Sequence, residues 1–125
     1  MSDRILNNNA VSTSYSGRLV LSNDDAKAAA NLYATFYSPI TNEAWDEDAG
    51  AMGSNATVTH ANAAVACTDE LALVSDGWYT PIPAIPDGIY IVKWYNNAVP
   101  AVGDAIVIAK QCNIKNGFAQ TVGDN

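Results

Sequence analysis

The sequence predicts an all-β protein, an antiparallel β-sandwich of six or seven short strands with an extended N-terminal arm and one short helix. Three observations carry this reading. Apolar and aromatic residues alternate with polar ones in several short runs, the pattern of strands with one buried face. Turn residues punctuate those runs roughly every 8–12 positions, as in sandwiches. A proline-rich segment, PIPAIP at 81–86, separates two such runs, and it suits a crossing between layers better than a strand inside one.

The elements follow in order. Residues 1–15, MSDRILNNNAVSTSY, are polar and rich in Asn and Ser. They read as an arm outside the domain of residues 16–125. Ile5, Leu6 and Val11 are its apolar anchors, too few to offset the entropy of ordering it alone. A partner sheet could take such an arm by strand addition, which needs backbone bonds rather than particular side chains. GRLVLSN at 17–23 predicts a first strand. NDDAKAAAN at 23–31 carries a helix start, with Asn23 or Asp24 as N-cap, acids in the first turn and alanines behind.

NLYATFYSP at 31–39 alternates cleanly. Leu32, Ala34 and Phe36 share one face, and Tyr33, Thr35 and Tyr37 share the other. EAWD at 43–46 predicts a short partner strand across a turn. Residues 46–66 show no period and read as the long connection of the domain, with a helical turn near Ala61–Ala66. ELALVS at 70–75 predicts a strand closed by Asp76-Gly77, and GWYTPIP at 77–83 another. Its prolines confine it to a sheet edge or make it a strand end.

Proline donates no ladder hydrogen bond and holds the residue before it extended. PIPAIP is therefore an extended crossing from one sheet to the other. Asp87-Gly88 turns the chain into IYIVKWYN, with Tyr90, Val92 and Trp94 inward and Lys93 marking the wet face beside Ile91 and Tyr95. NAVPAVGDA at 97–105 is a hairpin loop with a Gly-Asp turn. AIVIAKQCNIK at 105–115 is the last long strand, with a bulge expected near Lys110–Gln111. The tail adds a strand around Phe118–Val122.

Composition narrows the functional classes. A chain of 125 residues suits one domain with a core of its own. At 49 % hydrophobic and 15 % charged it is neither a disordered chain nor a coiled coil. A net charge of −7 with six Lys and Arg leaves few cations for a nucleic-acid backbone or an anionic membrane. No apolar run approaches the length of a membrane span. The first ten residues lack the apolar stretch of a secretory leader, so synthesis in a cytoplasm without a signal peptide is expected. Cys67 and Cys112 are then expected as free thiols in or near the core.

Catalytic constellations are not apparent. His60 is the one histidine, it falls in the irregular stretch, and it is expected as a solvated loop residue. There is no GxSxG motif to go with it. Two distant cysteines and one histidine do not make a zinc ligand set. DEDAGAMGSNAT begins like a calcium loop, but the required Gly and Glu positions hold Ala51 and Thr57, so the pattern fails. GAMGSN lacks the Lys of a phosphate loop. The expectation is a protein that is not an enzyme, with no catalytic residues, no metal and no cofactor. Trp45, Trp78, Trp94 and the six tyrosines are expected mainly in the core. Trp78-Tyr79 is the candidate docking or sugar-stacking pair, because neighbours on a strand face opposite ways.

The order of features from Leu32 to Ala109 is familiar. Tyr79 to Tyr95, YTPIPAIPDGIYIVKWY, and the Gly103 to Val107 run GDAIV resemble the small immunoglobulin-like or transthyretin-like β-sandwich modules of tailed-bacteriophage virion proteins. The resemblance spans about two-thirds of the chain, and its motifs are structural. It implies an immunoglobulin-like sandwich and a non-enzymatic virion component: a small capsid decoration, accessory or connector protein. Its partners would be other virion proteins of capsid or tail, including copies of itself, with no nucleic acid and no membrane. The alternative is a carbohydrate-binding module of a tail fibre or baseplate, which would meet a host surface glycan.

Overall fold

A computed structural model describes residues 18–22, 26, 29–69 and 77–120. The N-terminal arm with Ile5, Leu6 and Val11, the strand expected at 70–75 and the tail beyond Gln120 lie outside the described residues. So does most of the helix expected at 23–31. Ala26 within it has helical backbone, is buried, and accepts a 3.0 Å hydrogen bond from the Ala29 N–H.

The described chain is an antiparallel all-β structure whose two sheets form a sandwich. In chain order the elements are β1 (Arg18–Ser22), β2 (Leu32–Ser38), β3 (Glu43–Asp46), β4 (Ala51–Ser54), α1 (His60–Ala63), β5 (Val65–Ala66), β6 (Thr68–Asp69), β7 (Gly77–Pro81), β8 (Gly88–Asn96), β9 (Ile106–Lys115) and β10 (Phe118–Gln120). The larger sheet runs β10-β9-β8-β2-β3-β4, and the smaller β1-β7-β6. One edge of β2 pairs with β8 from Leu32 to Tyr37. Its other edge is shared, with β3 taking Tyr37 and Ser38 and β5 taking Tyr33 and Ala34.

Alternation builds the core. Leu32, Ala34 and Phe36 of β2 meet Tyr90, Val92 and Trp94 of β8 and Ile114 of β9 on the inner face of the larger sheet. Leu19 and Leu21 of β1 and Trp78 of β7 come from the smaller sheet. Trp94 is 1 % exposed, so the facing read from the sequence holds. The prolines act as expected. Pro81 ends β7 in the smaller sheet, and the chain reaches β8 in the larger sheet through residues 82–87. Ile82 and Ile85 turn inward along this crossing and join the core.

Three expectations are corrected. Residues 46–66 are not an irregular connection: the helical turn expected near Ala61–Ala66 is present as α1 at His60–Ala63, and the stretch also holds the unforeseen strands β4 and β5. The acidic DEDAG run is the β3–β4 turn, where Asp46 Oδ1 accepts the Ala49 N–H at 3.0 Å and Gly50 takes φ +70°. Within β4 the close approach is at Gly53, where a Cβ would lie 2.8 Å from Val58 Cγ2. The β8–β9 irregularity falls at Trp94/Tyr95 and not at Lys110–Gln111. There Tyr95 pairs with Ile106 and Trp94 with Ile108, which leaves Val107 as the extra residue. Finally, Tyr95 does not lie on a wet face. Tyr95 and Tyr33 are 8 % and 3 % exposed, because His60 of α1 and the loop 97–105 pack against them.

Candidate functional site

The β8–β9 loop, residues 97–105, is apolar at its tip and tied down at its base. Asn97 and Asp104 close it. Asn97 Nδ2 donates to Asp104 Oδ1 at 2.9 Å, and Asn97 Oδ1 accepts the Val99 N–H at 3.1 Å. Asp104 Oδ2 accepts the Ala101 N–H at 3.0 Å, while the Asp104 N–H donates to the Ala101 carbonyl at 3.1 Å. Gly103 adopts φ +98° inside this turn, a conformation that favours glycine. The Asn97 N–H reaches back to the Asn31 carbonyl, 2.9 Å away.

Tyr33 fastens the loop to the sheet. Its hydroxyl lies 2.5 Å from Asp104 Oδ2 and 2.7 Å from His60 Nε2. A phenol has one proton. Given to Asp104, it leaves the Tyr33 oxygen to accept from His60, which then carries its proton on Nε2. The rings lock the arrangement. Tyr33 stacks on Tyr95 with centroids 5.1 Å apart, and the imidazole stands edge-on to both tyrosines. Burial, reinforced by the Asp104 carboxylate, pushes the Tyr33 hydroxyl well above its ordinary range. Hydrogen bonds from Tyr33, Asn97 and the Ala101 backbone hold Asp104 below the usual carboxylate range. The phenol thus stays protonated and the carboxylate ionised. Those are the states in which a phenol donates to a carboxylate and the bond fastens the loop to the sheet.

His60 is accordingly corrected from a solvated loop residue to a half-buried member of this cluster. Thr59 places it by capping α1, with its Oγ1 accepting the Asn62 N–H at 3.2 Å.

A second polar group bridges the two layers. Trp94 Nε1–H donates to Thr80 Oγ1 at 2.9 Å, and Thr80 Oγ1 lies 3.0 Å from Cys67 Sγ. Thr80 is fully buried. Both cysteines are free thiols, and burial pushes each up to about 11. They are protonated and inert at neutral pH.

Beside the loop lies a cleft of about 360 Å³ of mixed character, lined by Ala61, Trp78 and Pro100 and equally by the polar Asn31, Tyr33 and Asn97. Outside it Val99 and Val102 stand 74 % and 86 % exposed, with Ile106 at 50 % just beyond. These three apolar side chains lie on or next to one loop, with no Lys or Arg between them.

Of the pair singled out in the sequence, Trp78 is in the core and also walls the cleft, while Tyr79 is half-buried on the opposite side of β7. All three tryptophans are buried. Tyr33, Asn97 and Asp104 were missed. Gly103-Asp104 carried only a turn signal, and nothing local shows that Tyr33, 71 positions earlier, closes on it. Among the described residues no group of three or more His, Cys, Asp or Glu side chains is placed to hold a metal ion. No protein-family model, curated protein or solved structure matches the chain.

Proposed function

We propose that this protein is a non-enzymatic structural component of a tailed-bacteriophage particle, a small decoration, accessory or connector protein that works by docking on other virion proteins. The observation that carries the docking role is the β8–β9 loop. Its exposed tip is apolar, and its base is held by side-chain bonds from Tyr33, Asn97 and Asp104. A contact loop held in one conformation before binding loses less entropy on docking than a free one. The virion setting rests on the sequence resemblance of the Tyr79–Tyr95 and Gly103–Val107 runs.

Mass spectrometry of gradient-purified particles from the phage that encodes the chain tests the reading. The protein is expected in stoichiometric amount, at a fixed ratio to the major capsid or tail protein. Its absence from particles that are otherwise complete would remove the virion assignment. A Val102→Asp variant, altered only at the exposed tip, is expected to express and fold but to be depleted from particles.

A further inference from the structure

We propose that Asn116-Gly117, the turn between β9 and β10, is a site of spontaneous deamidation, and that its isoaspartate product releases β10 from the sheet. Within the sequence, Asn116 is the one asparagine followed by glycine. The reaction needs that neighbour. The main-chain nitrogen of residue 117 attacks the Asn116 side-chain carbonyl carbon, and a Cβ on residue 117 would crowd the approach. The nitrogen gives its proton to water, the new C–N bond closes a five-membered succinimide, and ammonia leaves. Water then opens the ring at either carbonyl. Opening at the side-chain carbonyl leaves aspartate. Opening at the main-chain carbonyl leaves isoaspartate, with the chain running through the former side chain. The balance is one water in and one ammonia out, with no oxidant and no enzyme. Asn116 is exposed, so water reaches it.

The structure sets both the rate and the consequence. Asn116 and Gly117 have φ +54° and +83°, and Lys115 pairs with Phe118 across them. That is the two-residue hairpin turn in which Asn-Gly is favoured. The Asn116 N–H donates to Asp87 Oδ1 at 2.8 Å, which ties the turn to the residue before β8. Closing the ring takes Asn116 out of this conformation, so it proceeds when the turn opens locally. Aspartate, like asparagine, tolerates positive φ, and this product keeps the turn. Isoaspartate adds a carbon to the main chain inside a two-residue loop, where loop length fixes the register. β10 is only Phe118–Gln120, paired with Lys115, Ile114 and Asn113, and so short a strand does not hold without its turn. Its release uncovers the β9 edge at residues 113–115 and withdraws Ala119 from the core it packs against. Both products also add a negative charge, on the residue bonded to Asp87, to a chain that already carries −7. The step is irreversible, so the released share grows with the age of the protein.

The conversion is a property of the isolated protein and does not depend on the virion reading. The purified full chain is aged at mildly alkaline pH. Peptide mass spectrometry reads conversion as the exchange of NH for O, and isoaspartyl methyltransferase reads the isoaspartate share. Conversion is expected at Asn116 ahead of every other asparagine. Asp87→Ala, which unties the turn at an exposed site, is expected to convert roughly fivefold faster, the factor that one lost hydrogen bond carries. Hydrogen exchange of residues 118–120 reads the consequence, with Asn116→Asp standing for the aspartate product. Converted protein, separated by ion exchange on its added charge, is expected to split into two populations. One is protected like Asn116→Asp, and the other is unprotected and matches the methyltransferase share. An Asn116 that is still the amide in both wild type and Asp87→Ala when the urea-unfolded chain has converted overturns the proposal. So does an isoaspartate form whose residues 118–120 stay as protected as in unaged protein.

Discussion

Trp94 and Thr80 show how much one side chain can hold. Trp94 sits on β8 of the larger sheet and Thr80 on β7 of the smaller, so their 2.9 Å bond crosses the sandwich. Trp94→Ala is expected to cost about 3–5 kcal/mol in chemical denaturation, the usual range for truncating a large buried aromatic. Thr80→Val keeps the shape but removes the hydroxyl that accepts the indole N–H, leaving it only the weakly accepting Cys67 sulfur. It is expected to cost about 1–3 kcal/mol, while Thr80→Ser, which retains the hydroxyl, costs less. Equal losses for Val and Ser would mean that packing, not the hydrogen bond, accounts for the effect.

Asp104 gives the residue scale its pH dependence. Its carboxyl is held below the ordinary value of 3.8 by three hydrogen bonds made only in the folded state. The unfolded chain therefore takes up the proton first as pH falls. The stability contributed by this carboxylate is present above the unfolded value and is lost as pH drops through the lower folded one. The melting temperature of the wild type is expected to fall more steeply below about pH 4 than that of Asp104→Asn. Tyr33→Phe removes the leading donor, so the Asp104 titration followed by NMR should move upward. An unmoved titration would show that Tyr33 does not hold the loop.

At the scale of elements, β4 is the least legible strand and the most instructive. Ala51-Met52-Gly53-Ser54 has neither branched residues nor alternation, and nothing local marks it as a strand. It forms because the Asp46–Gly50 turn folds it back on β3, whose four residues it pairs one for one, and its Gly53 leaves the space that Val58 fills. Gly53→Ala would set a Cβ 2.8 Å from Val58 Cγ2. Overpacking of this kind typically costs about 1–3 kcal/mol, and Val58→Ala in the same chain is expected to recover most of it. No recovery in the double variant would place the strain in the β4 backbone instead. By contrast, β2 and β8 were legible because their inner faces alternate over six or more residues, and the layer crossing was legible because proline carries its meaning locally. The outer-face cluster was not. Tyr33, His60, Tyr95 and Asp104 come from four separate stretches of chain, and only the β2–β8 pairing and α1 bring them together.

For the whole molecule, one question is whether the two sheets unfold together. Among the described residues the smaller sheet has three short strands, and such strands need a packed face to be stable. Its inner residues Leu19, Leu21 and Trp78 share one core with the larger sheet, and Thr80 and the Ile82–Ile85 crossing pin the layers to each other. Small domains with a single continuous core unfold in one step. Trp45 and Trp94 report on the larger sheet and Trp78 on the smaller, so indole fluorescence samples both. Fluorescence and far-UV circular dichroism are expected to give superimposable urea curves. Since the described core begins at Leu19, removing residues 2–15 should leave the midpoint nearly unchanged. Two resolved transitions, or a clear drop in the midpoint after the deletion, would mean that the domain boundary at residue 16 is misplaced and that the arm belongs to the fold.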